Sequence, residues 1–163
     1  MKLRKSILAG LLGLTVLAGC GAAGVWAVTG GLYGCTSRDQ ELADGLRTLP
    51  VLDARRPDAR QLDRRYSGCD EDDGFAYAGQ HYEHGGTPAE LLAFYRAEAS
   101  GDGWQPAPDG HAGQLCFTKP YGTVTAHLKV WVPGTFDSAG EPPANPGEYG
   151  LEVTASHDGS AWC

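Results

Sequence analysis

A long uncharged stretch near the start of the chain constrains the fold more than any other feature of this sequence. Residues 6–37 are 32 consecutive residues without a charged side chain, and every acidic residue lies at or beyond Asp39. The charges that precede the stretch are all basic: Lys2, Arg4 and Lys5. A basic start followed by an apolar run is typical of segments that direct export, and the basic end stays in the cytoplasm. We therefore expect residues 1–36 to be a signal peptide or membrane anchor with a tether, and residues 37–163 to form an extracytoplasmic domain.

One interpretation of the uncharged stretch is a bacterial lipoprotein signal. The sequence Leu17-Ala18-Gly19-Cys20 matches the lipobox pattern, in which a large apolar residue and two small residues precede the cysteine. Cleavage before Cys20 would make its thiol the lipidation site. Each buried CH₂ group of a lipid chain contributes roughly 0.8 kcal/mol to membrane binding, so several chains on Cys20 would anchor the protein stably.

The alternative is an uncleaved transmembrane helix. Residues 7–28 would reach ~33 Å at about 1.5 Å per residue, which is enough to cross a hydrocarbon core of about 30 Å. Apolar residues continue beyond Cys20 as far as Val28, where most lipoproteins have a polar tether. Several glycines in the same run weaken its hydrophobicity. The sequence leaves both anchors open, and both place the following domain outside the cell membrane and attached to it.

The number of cysteines indicates disulfide bonds. Without Cys20 the chain has an even number of cysteines, namely Cys35, Cys69, Cys116 and Cys163. None of them forms a Cys-x-x-Cys pair, so a zinc site or a thioredoxin-like redox site has little support. An even set fits two disulfides formed in an oxidising compartment. Four cysteines allow three pairings, and the pairing we favour is Cys69–Cys116 within the sheet with Cys35–Cys163 joining the two ends.

The exported part of the chain is acidic. The chain has 13 basic residues, and removing the three at its start leaves 10 against 20 acidic residues, a net charge of −10. Binding to nucleic acid requires clustered Lys and Arg that neutralise phosphates, so we exclude a nucleic-acid partner. The expected partners are the membrane, through a lipid anchor or a single helix, and a protein or cell-wall ligand of the envelope.

The domain begins with predicted helical and then extended segments. A capping box at residues 37–40 predicts a short N-terminal helix that ends near Thr48, before Pro50. Residues 51–67 include Leu52 and Leu62 but are otherwise mostly Asp, Arg and Pro, which favours a solvated linker or edge segment. Alternation over residues 75–82 predicts a strand, and a second capping box at Thr87 with Pro at the first helical position predicts the main helix over residues 88–100.

The remainder reads as strands. A short strand from Trp104, longer strands over 114–119 and 123–132, and a last strand over 149–155 are predicted, with a proline-rich loop over 133–147. Together, the predicted helices and strands indicate an α+β domain. It has a single antiparallel sheet of about four to five strands, one main helix packed on one face, and the short N-terminal helix.

Three segments carry a resemblance to known proteins. They are residues 66–79, the helical sequence Leu91-Leu92-Ala93-Phe94-Tyr95-Arg96, and Gly103-Trp104. Together they resemble uncharacterised small lipoproteins and membrane-anchored proteins of high-GC actinobacteria. The resemblance implies a lineage and a location at the membrane, and it implies no activity.

Few residues form a pattern typical of catalysis or metal binding. The only histidine cluster in the sequence contains His81, Glu83 and His84, but in a strand His81 and Glu83 share a face and His84 points away. The acidic turn at residues 70–73 does not match a calcium-binding EF-hand loop, because the required glycine and final glutamate are misplaced. Another hypothesis is a ligand pocket between helix and sheet, lined by Tyr95, Trp104 and Trp131.

No serine-hydrolase elbow and no phosphate-binding glycine loop occurs in the sequence. We therefore expect a membrane-anchored extracytoplasmic domain without catalytic activity or a cofactor, which binds a protein or a component of the cell envelope. The alternative is a small metal- or ligand-binding domain or a hydrolase-type enzyme that uses His81, Glu83 and His84.

Overall fold

A computed structural model describes residues 34–107, 114–132, 147–159 and 163. The expected signal or anchor within residues 1–36, the lipidation site Cys20 and most of the proline-rich loop at 133–147 lie outside the described residues. The described helices are α1 (Ser37–Leu46), a 3₁₀ helix (Pro50–Asp53) and α2 (Pro88–Gly101). The strands are β1 (Arg60–Gln61), β2 (Tyr66–Cys69), β3 (Ala76–Glu83), β4 (Gln105–Pro106), β5 (Gln114–Tyr121), β6 (Val124–Trp131) and β7 (Glu148–Ala155).

The strands form one antiparallel sheet, which confirms the predicted α+β class. The order across the sheet is β1-β3-β7-β6-β5-β4, and β2 pairs with β3 on the same edge as β1. Within the part of the chain that the structure describes, the sheet has seven strands instead of the four to five predicted. The two additional strands are β1 and β2, which both pair with β3 at one edge, whereas the short strand predicted from Trp104 corresponds to β4. β1 has two residues, too few to show an alternating pattern in a sequence, and the four residues of β2 are all half-buried and show no alternation either.

Both α helices pack on the same face of the sheet. Ala43 and Leu46 of α1 and Leu91, Tyr95 and Ala99 of α2 belong to a single cluster of buried apolar side chains. The sheet contributes the cross-strand row Ala78, Val153, Leu128 and Phe117 and its neighbours on that face. Burial of this apolar face against two helices is the main source of stability in a two-layer fold.

The start of α1 differs by one residue from the expected capping box. Thr36, rather than Ser37, is the N-cap, and the Asp39 carboxylate accepts from the Thr36 amide at 2.8 Å and its hydroxyl at 2.6 Å. The helix ends at Leu46, two residues before the predicted end at Thr48. The main helix α2 agrees with the prediction, because Thr87 caps it through a box with Glu90 and Pro88 is its first residue.

Of the two alternatives for the segment after α1, a solvated linker or an edge segment, its second half fits the edge segment, with β1 and the start of β2, and its first half is not a solvated linker. Val51 and Leu52 are buried in the 3₁₀ helix. Two core tyrosines hold the segment to the sheet and to α2: Tyr82 donates to the Leu52 carbonyl at 2.6 Å, and Tyr95 donates to the Ala54 carbonyl at 2.7 Å. Charged residues outnumber Val51 and Leu52 in this segment, so a prediction based on charge alone does not identify this pair as buried.

The disulfides are Cys35–Cys69 and Cys116–Cys163, so the pairing that we favoured is wrong. Cys69 ends β2 on the helix-covered face, whereas Cys116 lies on β5 with its side chain on the opposite face. Four strand spacings separate β2 from β5, roughly 19 Å. A disulfide needs Cα atoms within about 7 Å of each other. The two bonds indicate an oxidising, extracytoplasmic environment.

Candidate binding face

The two faces of the sheet differ in what covers them. Both α helices lie on one face, and no helix in the described ranges packs on the other, which we call the helix-free face. Residues paired across antiparallel strands share a face, so the strand register assigns each side chain to one side. The centre of the helix-free face consists of Tyr66, Tyr77, His81, Trp131, Glu152 and Thr154.

Three glycines lie beneath the large aromatic side chains of this face. Each glycine is directly opposite an aromatic residue on the neighbouring strand, in the pairs Tyr66 with Gly79, Tyr77 with Gly68, and Trp131 with Gly150. A Cβ atom at any of the three glycines would overlap the facing ring. The rings therefore lie over the backbone of the neighbouring strand, which compensates for the missing side chain of a strand glycine.

Four rings form a continuous row across this face. The ring centroids are 6.2 Å apart for Tyr77 and Tyr66, 5.3 Å for Tyr66 and His81, and 5.6 Å for His81 and Trp131. These separations lie within the range of favourable aromatic pairs. His81 meets both neighbouring rings edge-on. All four side chains, which we call the aromatic row, are half-buried.

Polar groups fix the position of the row. The Tyr66 hydroxyl donates to Oε2 of Glu152 at 3.2 Å. Burial, followed by the nearby Glu152 carboxylate, raises the pKa of Tyr66 well above its ordinary value. The hydroxyl therefore keeps its proton at neutral pH and remains a donor to Glu152. Lys129 lies directly opposite Glu152 on β6, so the carboxylate also faces a cation in register.

The β5 side of the helix-free face contains the end of the chain. The Cys116–Cys163 bond holds the last residue there, and Sγ of Cys163 lies 3.5 Å from the Leu128 carbonyl oxygen. On the same face, burial lowers the pKa of His127, and its Nδ1 has no hydrogen-bond partner among the described residues. We therefore take His127 as neutral. The aromatic row lies on the other side of the face, along β3.

A cavity of about 250 Å³ opens at one end of the aromatic row. It is lined by Asp70, Phe75, Tyr77 and Glu152. The rings of Phe75 and Tyr77 are 6.3 Å apart. The Asp70 carboxylate accepts from two backbone amides of the turn that follows it, at 2.9 and 3.1 Å. The cavity thus combines two aromatic rings with two carboxylates.

A second cavity, of about 390 Å³, lies at the β1 edge of the sheet. Its lining consists of Arg47, Thr48, Asp53, Gln61, Arg65 and Gln80. Arg65 donates to the Arg47 carbonyl and forms an ion pair with Asp53. These contacts join the segment after α1 to the chain just before β2. We therefore interpret this cavity as part of the packing of that segment.

The structure does not bring His81, Glu83 and His84 together. His81 belongs to the aromatic row, and Glu83 pairs with Arg60 at the sheet edge. His84 is buried on the other side, where its Nδ1 accepts from the Gly86 amide at 2.9 Å. Within residues 34–107, 114–132, 147–159 and 163, no three His, Cys, Asp or Glu side chains gather as metal ligands.

The expected pocket between helix and sheet is also not assembled. Trp104 and Tyr95 are buried in the core, with 1% and 0% of their surface exposed. Trp131 lies on the opposite face, over Gly150. The sheet therefore separates Trp131 from Tyr95 and Trp104, which belong to the same core. The prediction treated them as one set because it did not determine which face of the sheet each side chain occupies.

Comparisons with protein-family models, with curated proteins and with solved structures find no match for this chain. The resemblance to actinobacterial lipoproteins therefore stays a prediction. Neither of the described α helices is long and apolar enough to cross a membrane. The expected anchors lie outside the described residues, so they stay predictions as well.

Proposed function

We propose that this chain is a membrane-anchored extracytoplasmic domain that binds a protein or another component of the cell envelope through its helix-free face. The proposal includes no catalytic step and no cofactor. The two disulfides support the location, because such bonds persist in oxidising compartments. The basic start and the uncharged stretch that follows support the anchor.

The observation that carries the proposal is the placement of three aromatic rings over three strand glycines. Core packing does not require these rings, because the apolar core lies on the other face. Tyrosine and tryptophan supply large contact areas with little loss of side-chain freedom, and they are enriched at binding hot spots. Rings held against a backbone lose even less freedom when a partner binds.

Site-specific photo-crosslinking in native membranes tests this proposal. A photoreactive benzoylphenylalanine at His81 should form a discrete adduct, whereas the same residue at Glu98, exposed on α2, should not. The His81 adduct should disappear in a Tyr66→Ala background, since the row is then interrupted. It should persist in a Phe94→Ala background, which removes a matched aromatic ring from the helix side. Adducts of equal yield at the two positions would refute the proposal.

A further inference from the structure

The cavity at the end of the aromatic row has the composition of a cation site. We propose that the cavity lined by Asp70, Phe75, Tyr77 and Glu152 receives a basic side chain of a partner protein. Aromatic rings attract cations to their negative faces, and two carboxylates beside them add direct charge attraction. This inference rests on the proposed function, because it names the chemistry of the partner that the helix-free face would bind.

The charge around the cavity favours a basic partner. The turn at residues 70–73 has four consecutive carboxylates, and Glu152 adds a fifth, against Lys129 in register with Glu152. The exported chain as a whole has a net charge of −10, from 10 basic and 20 acidic residues beyond residue 19. A field of one sign accelerates the approach of an oppositely charged partner and disfavours partners of the same charge.

The groups that line the cavity are held in place before any partner arrives. Asp70 is fixed by the amides of its own turn, and that turn closes at Gly74, whose φ of 68° favours glycine. The Tyr77 ring lies over Gly68, and Glu152 accepts from Tyr66. A site with fixed groups loses less entropy on binding than one that must order its side chains.

The size of the cavity indicates what part of a partner it holds. About 250 Å³ is below the usual range of pockets for whole small-molecule ligands. It suits one side-chain head group, while the aromatic row contacts the neighbouring residues of the partner. A guanidinium group fits best, because it is planar, stacks on aromatic rings and pairs with a carboxylate through two hydrogen bonds.

Two small probes test the inference on the full chain reconstituted in phosphatidylcholine nanodiscs. N-acetyl-arginine amide and N-acetyl-citrulline amide have nearly the same shape, but only the first is charged. Saturation-transfer NMR observes the probe and therefore suits weak binding to a large particle. We expect the arginine probe to bind about tenfold more tightly than the citrulline probe, as a cation beside rings and carboxylates should.

Two matched variants test whether binding of the arginine probe depends on the lining of the cavity. Glu152→Gln removes a carboxylate from the cavity but keeps an oxygen that accepts from Tyr66, so the arginine probe should lose about tenfold in affinity. Glu71→Gln removes one charge from the adjacent turn without touching the lining, and it should change the affinity less than about twofold. Circular dichroism checks that both variants fold. An equal loss of affinity in both variants would show that the arginine probe responds to the overall negative charge and not to a site in the cavity.

The outcomes separate this inference from the proposed function. Equal binding of the two probes, or no binding of either, overturns the cation site. If the His81 crosslink then still forms, the binding face stands and its partner has another chemistry, such as a saccharide. If the crosslink is absent as well, both proposals fall. Selective arginine binding that Glu152→Gln weakens and Glu71→Gln does not supports the inference.

Discussion

Replacing Tyr95 by Phe removes one hydroxyl group from the core and breaks two hydrogen bonds. The Tyr95 hydroxyl donates to the Ala54 carbonyl at 2.7 Å and lies 3.0 Å from the Tyr149 hydroxyl. A hydroxyl has one proton, so Tyr149 must be the donor in the second bond. Burial raises the pKa of Tyr95 far above its ordinary value and that of Tyr149 to about 12, so both hydroxyls keep their protons at neutral pH.

The three variants of this pair should differ in cost. Tyr95→Phe leaves the Ala54 carbonyl without its donor and the Tyr149 hydroxyl without its acceptor, so we expect a loss of about 3 kcal/mol in the free energy of unfolding. Tyr149→Phe removes a donor and leaves the bond to Ala54 intact, which should cost about 1 kcal/mol. In the double variant only the Ala54 carbonyl lacks a partner, and the cost should be about 2 kcal/mol. The double variant is therefore more stable than Tyr95→Phe alone.

Urea denaturation of the oxidised full chain, followed by the fluorescence of the tryptophans, measures these differences. Phe94→Leu on α2 is the control, since the half-buried Phe94 side chain packs beside Tyr95 at the edge of the core but has no hydroxyl group. A coupling energy of about −2 kcal/mol between the two tyrosines is the expected result. Additive losses, or a Tyr95→Phe variant as stable as the wild type, would refute the assignment of donors and acceptors.

Three further predictions concern a buried histidine, a glycine beneath a tryptophan ring and a disulfide bond. Burial lowers the pKa of His84, so below about pH 6.5 the unfolded chain binds a proton that the folded chain does not, and the free energy of unfolding should fall as the pH drops. His84→Gln should reduce this pH dependence in urea denaturation measured from pH 7.5 to 5. Gly150→Ala should cost about 1–3 kcal/mol and shift tryptophan emission, because the added Cβ overlaps the Trp131 ring, whereas Gly85→Ala, with open space around its Cβ, should be near neutral. Cys163→Ser opens a closed loop with a sequence separation of 47, and urea denaturation should show a loss of about 4 kcal/mol.

Local signals predicted most of the elements in this chain. The box of Thr87 and Glu90 with Pro88 predicted α2, because these contacts form within one helical turn. Alternation predicted β3, β6 and β7 to within one residue at each end. The short edge strands β1 and β2 were not predicted, because strands of two and four residues form only through the partner strand with which they pair.

The disulfide pairing and the candidate binding face depend on the register between strands, which the sequence alone does not show. The sequence permits a Cys69–Cys116 bond because both residues lie in extended segments, but four strand spacings separate them in the sheet. The aromatic row was missed for the same reason. Gly79 and Gly150 inside strands were its available signal, since a glycine within a strand often marks a close approach of another group. Which ring approaches each glycine becomes apparent only once the strands are aligned.

The Cys35–Cys69 bond determines how a mechanical load would travel through the molecule. Tension applied to the chain ahead of residue 35 reaches Cys35 and passes through the covalent bond directly into β2. From β2 it enters the central sheet through the pairing with β3. The intervening loop, with α1 and the 3₁₀ helix, lies outside this path and bears no tension. A domain held by a tether could therefore be pulled without unwinding its first helix.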